Sequence, residues 1–183
     1  MSTPSASTAL PFKYDDLYLF IGGEWIAAGN HDTSPVINPA TGQVIGRIPH
    51  ATKEDLDRAL DVAESSFAIW SKTPAYSRAK ILKRTAELIR QRAQHIERLM
   101  TTEEGKARHE AEYEIAAAAD YFEWFAEQGK RAYGRVVPAR RPEVQQLVKR
   151  QPIGPVAAFT PWNFPGITPS RKLAAALAAG CSV

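Results

Sequence analysis

The sequence predicts an α/β chain: small β-hairpins, a run of amphipathic helices, a projecting β-ribbon, and the first strand–helix–strand unit of a doubly wound parallel sheet. Three observations carry this. The apolar run Val156-Ala157-Ala158-Phe159, a turn bracketed by Pro161 and Pro165, and an apolar helix closed by Gly180 before Cys181-Ser182-Val183 follow in strand–loop–helix–strand order. Between residues 52 and 132, apolar side chains recur at spacings of three and four, as on one face of a helix. Before residue 50, short strand-like runs are separated by Gly22-Gly23 and by Pro39-Ala40-Thr41-Gly42, which is turn chemistry.

Residues 1–16 are rich in Ser, Thr, Ala and Pro and read as a disordered tail with no signal-peptide pattern. Residues 17–133 form the hairpins and helices. Strands are expected at 17–21 and 25–28, and again at 35–38 and 44–48. Thr52, with Asp55 three residues on, is a capping box for a first helix with the stripe Leu56, Ala59, Leu60, Ala63, Phe67 and Trp70. Thr73-Pro74 reads as cap and first residue of a second helix, whose stripe Leu82, Ala86, Ile89, Ala93, Ile96 and Met100 continues to residue 100. Glu103-Glu104-Gly105-Lys106 then breaks the pattern as a solvated turn. A longer helix runs to about residue 132, with Ile115, Ala118, Phe122 and Phe125 inward and Tyr121 and Trp124 widening its apolar face.

Residues 134–151 hold two short, charged, weakly alternating runs at 135–138 and 144–151. Such a ribbon is either a subunit contact or a solvated hairpin. Residues 152–183 begin the sheet, with a strand buried on both faces at 156–159. Its helix is expected to start with Thr168 as N-cap and Pro169 at the first helical position. Ligands of such sheets bind at the carboxyl ends of the strands, where residues 160–163 fall.

Composition narrows the function. A chain of 183 residues, 44% hydrophobic and 23% charged, is globular in character. A net charge of +3, with lysines and arginines mixed among acids, lacks the basic stripe of a nucleic-acid binder. No apolar run approaches the roughly 18 residues of a membrane span. One cysteine excludes an internal disulfide and fits a reducing, cytoplasmic compartment. His31, His50, His95 and His109 show no metal-ligand spacing, and no metal is expected.

The segment Phe159-Thr160-Pro161-Trp162-Asn163-Phe164-Pro165, with Arg171-Lys172-Leu173 and Ala178-Ala179-Gly180-Cys181 after it, resembles the start of the cofactor domain in the aldehyde dehydrogenase superfamily. The semialdehyde branch, typified by succinate-semialdehyde dehydrogenase, is the nearest in pattern. Phe20-Ile21-Gly22-Gly23-Glu24-Trp25 and Asn38-Pro39-Ala40-Thr41-Gly42 resemble the N-terminal part of the same family. The resemblance runs from about residue 17 to residue 183 and covers less than half of a family member. It implies an N-terminal fragment of an enzyme that oxidises a semialdehyde, through a cysteine thioester, with NAD or NADP.

Such chemistry needs a thiolate, oxyanion donors, a nicotinamide and a base. The resemblance assigns Asn163 as the oxyanion donor; the alternative is an asparagine bonding its own backbone in a turn. It makes Phe159, Thr160, Pro161, Trp162 and Asn163 the cofactor contacts; Trp162 could instead be core. No G-x-G-x-x-G follows the strand, and the family does not use one.

Arg171 and Lys172 are expected in the first turn of the last helix, where a positive charge opposes the helix dipole. The resemblance gives Arg171 to the distal carboxylate of the substrate; a surface or intersubunit salt bridge is the alternative. Cys181 matches a helix-to-strand turn, not the catalytic segment, and reads as a buried small residue. The family also carries a Glu-Gly-Lys near residue 104, and that glutamate is not its base. The nucleophilic cysteine, the base glutamate and the glycine-rich turn have no counterpart here, so the chain alone is expected to be inactive. The parent is expected to be a homo-oligomer through 134–151. The alternative is a catalytically inactive, shortened paralogue that serves as an interaction or oligomerisation module.

Overall fold

The computed structural model describes Tyr14 and residues 16–183, so the expected tail at 1–16 lies outside the described residues apart from Tyr14 and Asp16. Among the described residues, six strands and five helices follow in order: β1 (Leu19–Ile21), β2 (Glu24–Ile26), β3 (Thr33–Ile37), β4 (Val44–Pro49), α1 (Lys53–Trp70), α2 (Ala75–Gln91), α3 (Ala93–Glu104), α4 (Arg108–Gly129), β5 (Arg135–Val137), β6 (Gln146–Val148) and α5 (Ile167–Ala179). The strands form three separate two-stranded antiparallel ribbons, β1–β2, β3–β4 and β5–β6.

Turn chemistry sets the first two ribbons. Gly22 and Gly23 take φ of 64° and 85°, the left-handed pair that a tight primed turn requires. Between β3 and β4, the Asn38 side-chain oxygen accepts the Ala40 N–H at 2.9 Å, and the Gly42 N–H reaches the Asn38 carbonyl at 2.8 Å.

Helix α1 starts as its sequence dictates. The Thr52 hydroxyl accepts the Asp55 N–H and the Asp55 carboxylate accepts the Thr52 N–H, a complete capping box. Its stripe is less buried than expected: Leu56 and Leu60 are 57% and 64% exposed and no residue of the helix is fully buried, though its last turn reaches α5. There the Trp70 indole N–H donates to the Leu177 carbonyl at 3.0 Å.

Two helix boundaries depart from expectation. Thr73 does not cap α2; Pro74 occupies that position, and the Thr73 hydroxyl turns back to the Ile69 carbonyl at 3.1 Å. The single helix expected through residue 100 breaks at Arg92, whose N–H is shared between the Leu88 and Ile89 carbonyls. The break lets one apolar stripe enter two clusters along α4. Leu82 and Ala86 pack with Ala119, Phe122, Ala126, Ala174 and Ala178, whereas Met100 packs with Ala111 and Ile115.

Helix α4 runs through the middle of this body and ends at Gly129, short of residue 132. Trp124 does not widen its buried face and is mostly exposed. Alanines dominate the contact of α4 with α5, so the two backbones approach closely; a Cβ on Gly129 would lie 2.9 Å from the Ala178 carbonyl oxygen.

The strand expected at 156–159 is not a strand among the described residues. One backbone bond, Val156 N–H to Ser182 C=O at 2.9 Å, links it to the residues after α5. A strand exists only as part of a ladder, and a single bond makes none. Nor is the run buried: Phe159 is 83% exposed. The ribbon at 134–151 does form, as β5–β6, with Val136 and Leu147 exposed.

Candidate functional site

The site is built where α4, the turn after α3, and the start of α5 converge. Helix α5 begins at Ile167 with Gly166 as its N-cap, and no side chain of its own caps it. Thr168 therefore lies inside the helix, and Arg171 and Lys172 are its fifth and sixth residues. The expected clash of a first-turn cation with the helix dipole does not arise, because that effect fades beyond the first turn.

Glu114 supplies the missing cap from α4. Its Oε1 accepts the Gly166 N–H at 2.7 Å and the Ile167 N–H at 3.1 Å. Its Oε2 accepts from Lys106 Nζ. The Glu114 side chain is 2% exposed and Lys106 8%. Lys106 also donates to the Asn163 backbone carbonyl at 2.9 Å, lies 3.4 Å from Glu104 Oε1, and sits 4.4 Å over the Phe164 ring.

Burial works against the Lys106 charge. The hydrogen bond and charge of Glu114, then of Glu104, outweigh it and hold the ammonium above the usual lysine range. Burial pushes the Glu104 carboxyl up against the pull of Lys106. Glu104 Oε2 has no hydrogen-bond partner among the described residues. The turn expected to be solvated is thus half wrong. Glu103 is exposed and accepts from the Tyr14 hydroxyl at 2.5 Å, while Glu104 and Lys106 are buried in a charge cluster.

The loop held by this cluster carries the predicted residues. Phe159, Thr160, Pro161, Trp162 and Asn163 are all exposed, Trp162 by 73%, so its indole is not core. The Asn163 carboxamide makes no hydrogen bond among the described residues, and the turn alternative is not realised. At the other end of the loop, Lys172 Nζ donates to the Phe159 carbonyl. Arg171 is exposed, with its guanidinium 5.6 Å over the Tyr121 ring. Cys181 is buried and free. The structure thus gathers residues 159–163 onto one exposed loop and sets Arg171 apart on the helix that follows.

Sequence reasoning missed Glu114 and misjudged Lys106. The signal for Glu114 was present. It lies three residues after Ala111 and four before Ala118, an acid inside an apolar stripe. Among the described residues there is no His, Cys, Asp or Glu group that could hold a metal ion, and no helix long and apolar enough to cross a membrane.

Comparison with known proteins places these features in a lineage. A sequence model described as the aldehyde dehydrogenase family matches residues 25–183. The chain is 45% identical over 166 residues to 4-(hydroxymethyl)benzenesulfonate dehydrogenase TsaD1 of Comamonas testosteroni, covering 90% of this chain and 35% of that one. It is 41% identical over 176 residues to succinate-semialdehyde dehydrogenase [NADP(+)] GabD of Escherichia coli K12, covering 93% of this chain and 36% of that one. A solved structure of succinate-semialdehyde dehydrogenase from Burkholderia pseudomallei superposes with a TM-score of 0.86 at 42% identity, covering 90% of this chain and 34% of that one. The chain spans about a third of the length of the relatives it matches.

Proposed function

The chain belongs to the aldehyde dehydrogenase family, and we propose that it supplies the oxyanion side, and part of the cofactor contact, of an NAD(P)-dependent dehydrogenase of semialdehydes. The observation that carries this is the state of Asn163: an exposed carboxamide without a partner among the described residues, on a loop whose backbone is fixed by buried charge. When a thiolate adds to an aldehyde, negative charge gathers on the carbonyl oxygen. A neutral N–H₂ donor already in place stabilises that charge without reorganising as it forms.

The nicotinamide, when bound, would accept the hydride. Toward it the loop offers the exposed backbone of Thr160 and Pro161 and the Trp162 indole, with Pro161 limiting their freedom. Phe159 lies at the same edge, its carbonyl already taken by Lys172. Arg171, exposed one turn and a half along α5 from Gly166, would take the distal anionic group of the substrate. The names of two relatives, a benzenesulfonate and a succinate-semialdehyde dehydrogenase, both denote a substrate with such a group. The 134–151 segment, with Val136 and Leu147 exposed on β5–β6, would join copies of the whole enzyme.

No nucleophile or general base for this reaction is identified among the 183 residues, and the sole cysteine, Cys181, is buried beside α5. The 183-residue chain alone is expected to form no NADH or NADPH from succinate semialdehyde. A full-length polypeptide carrying this segment is expected to form it, and Asn163→Ala is expected to lower its kcat by about 10²–10³-fold. An unchanged kcat in that variant overturns the oxyanion role. Loss of the preference for anionic over uncharged aldehydes in Arg171→Gln checks the substrate reading.

A further inference from the structure

We propose that Lys106 and Glu114 are positioning residues, which together hold the 160–166 loop so that the Asn163 carboxamide stays aimed at the reacting carbonyl. The inference rests on the oxyanion reading of Asn163 given above. Residues 160–165 are exposed and belong to no helix or strand. Such a segment ordinarily samples many conformations. Here four side-chain contacts restrain it and its junction with α5, and all four come from one buried pair. Lys106 grips the Asn163 carbonyl at 2.9 Å and covers the Phe164 ring at 4.4 Å. Glu114 fixes the loop's far end by accepting two successive N–H groups, from Gly166 and Ile167.

Burying these charges is costly, since each ion loses its hydration, and apolar residues of similar size would serve stability as well or better. What apolar residues cannot do is donate to one backbone carbonyl and accept two N–H groups at set distances. The pair therefore yields geometry that packing alone would not. Geometry is also what an oxyanion donor needs, because a misplacement of about 1 Å costs roughly 10²-fold in rate. Gly166 shows how tightly the junction is fitted: a Cβ there would stand 3.0 Å from the Ile115 methyl and 3.2 Å from Glu114 Oε1.

Amide hydrogen exchange on the 183-residue chain gives the first test. First-turn N–H groups of a helix normally lack acceptors and exchange quickly. Helix α4 has no side-chain cap, so the Arg108 and His109 amides serve as the internal reference. Gly166 and Ile167 are expected to exchange at least about tenfold more slowly than that pair. Equal rates overturn the proposal, and this measurement on the unaltered chain stands whether or not any variant folds. Lys106→Met is expected to raise exchange at Gly166 and Ile167 while the α2 amides keep their protection.

The catalytic half is read in a full-length polypeptide that carries the segment. Lys106→Met is expected to lower kcat by about 10²-fold, with KM within about threefold, and Lys106→Arg to recover part of the loss. A normal kcat in Lys106→Met beside a crippled Asn163→Ala overturns the positioning role and leaves the oxyanion reading intact. A normal kcat in Asn163→Ala removes the oxyanion reading, and the catalytic role of Lys106 falls with it.

Discussion

Helices α1 and α5 both begin with a carboxylate accepting backbone N–H groups, and the two carboxylates come from different distances along the chain. Asp55 lies three residues from Thr52 and closes its own helix. Glu114 lies 52 residues before Gly166 and closes another helix from α4. A local cap stabilises one helix end and constrains little else. A distant cap fixes two helices and the loop between them in one arrangement, so its loss should be felt where that loop does its work.

The largest effect that sharpens this contrast is expected from Glu114→Ala. The change strands the Gly166 and Ile167 N–H groups and removes the hydrogen-bonded partner of a buried lysine. Breaking a buried pair by removing one member typically costs about 3–5 kcal/mol. Urea unfolding followed by circular dichroism should show a loss of that order. A loss below about 1 kcal/mol, as for a surface pair, would show that the distant cap holds nothing.

Asp55→Ala should cost clearly less than Glu114→Ala in the same urea unfolding, as the loss of a local N-terminal cap does. The effect should also stay local. Exchange should quicken in the first turn of α1 and leave Gly166 and Ile167 at their original rates. Quickened exchange at those two amides would erase the distinction between the two helix starts.

The same contrast explains what the sequence could and could not show. The capping box Thr52–Asp55, the Gly22-Gly23 turn and the αL stop at Gly180 are written within a few residues of where they act, and each forms as read. The loop with Asn163 and Trp162 was legible for the same reason: its prolines and its place after an apolar run are local. The strand at 156–159 was not, because a strand depends on its neighbours in a sheet, and only one bond to Ser182 is made. Lys106 looked solvated because a Glu-Glu-Gly-Lys sequence is polar by itself. Its burial follows from α4 and α5 crossing beside it, which no window of the sequence contains. Arg171 was misplaced by two residues for a related reason: a cap from Glu114 lets α5 start at Ile167, ahead of the Thr168-Pro169 signal.

Glu104 offers a smaller effect of the opposite sign. Its carboxyl is pushed up by burial, and Oε2 is unpartnered among the described residues, so its ionised form is held at a cost. A carboxyl whose folded pKa is raised favours the fold most below its unfolded value, about 4.3, and that advantage is lost as pH rises through the folded value. Glu104→Gln should therefore remove this fall, and at pH 7 should stabilise the chain by about 0–1 kcal/mol. A clear destabilisation at pH 7 would show that Lys106 needs both carboxylates, not Glu114 alone.

The smallest effect belongs to the local cap and concerns pH alone. His31 Nε2 lies 2.8 Å from the Asp55 oxygen that accepts the Thr52 N–H, and Nδ1 lies 2.7 Å from the Ala28 carbonyl. The hydrogen bond to Asp55, then that to Ala28, raises the imidazole pKa above its ordinary value. Hydrogen bonds from the Thr52 backbone, then from His31, lower that of Asp55. The signs differ. The His31 contribution is complete below about pH 6.5 and is lost as pH rises through the raised folded value. The Asp55 contribution is complete above its unfolded value and is lost as pH falls through the lowered one. Between those limits the link between the 28–31 turn and α1 should be firmest. Titration of the His31 ring protons by NMR should give a midpoint above 6.5 that returns toward it in Asp55→Asn. A midpoint unmoved by that substitution would leave the His31 shift to the Ala28 carbonyl alone and reduce α1 to the simple Thr52 cap.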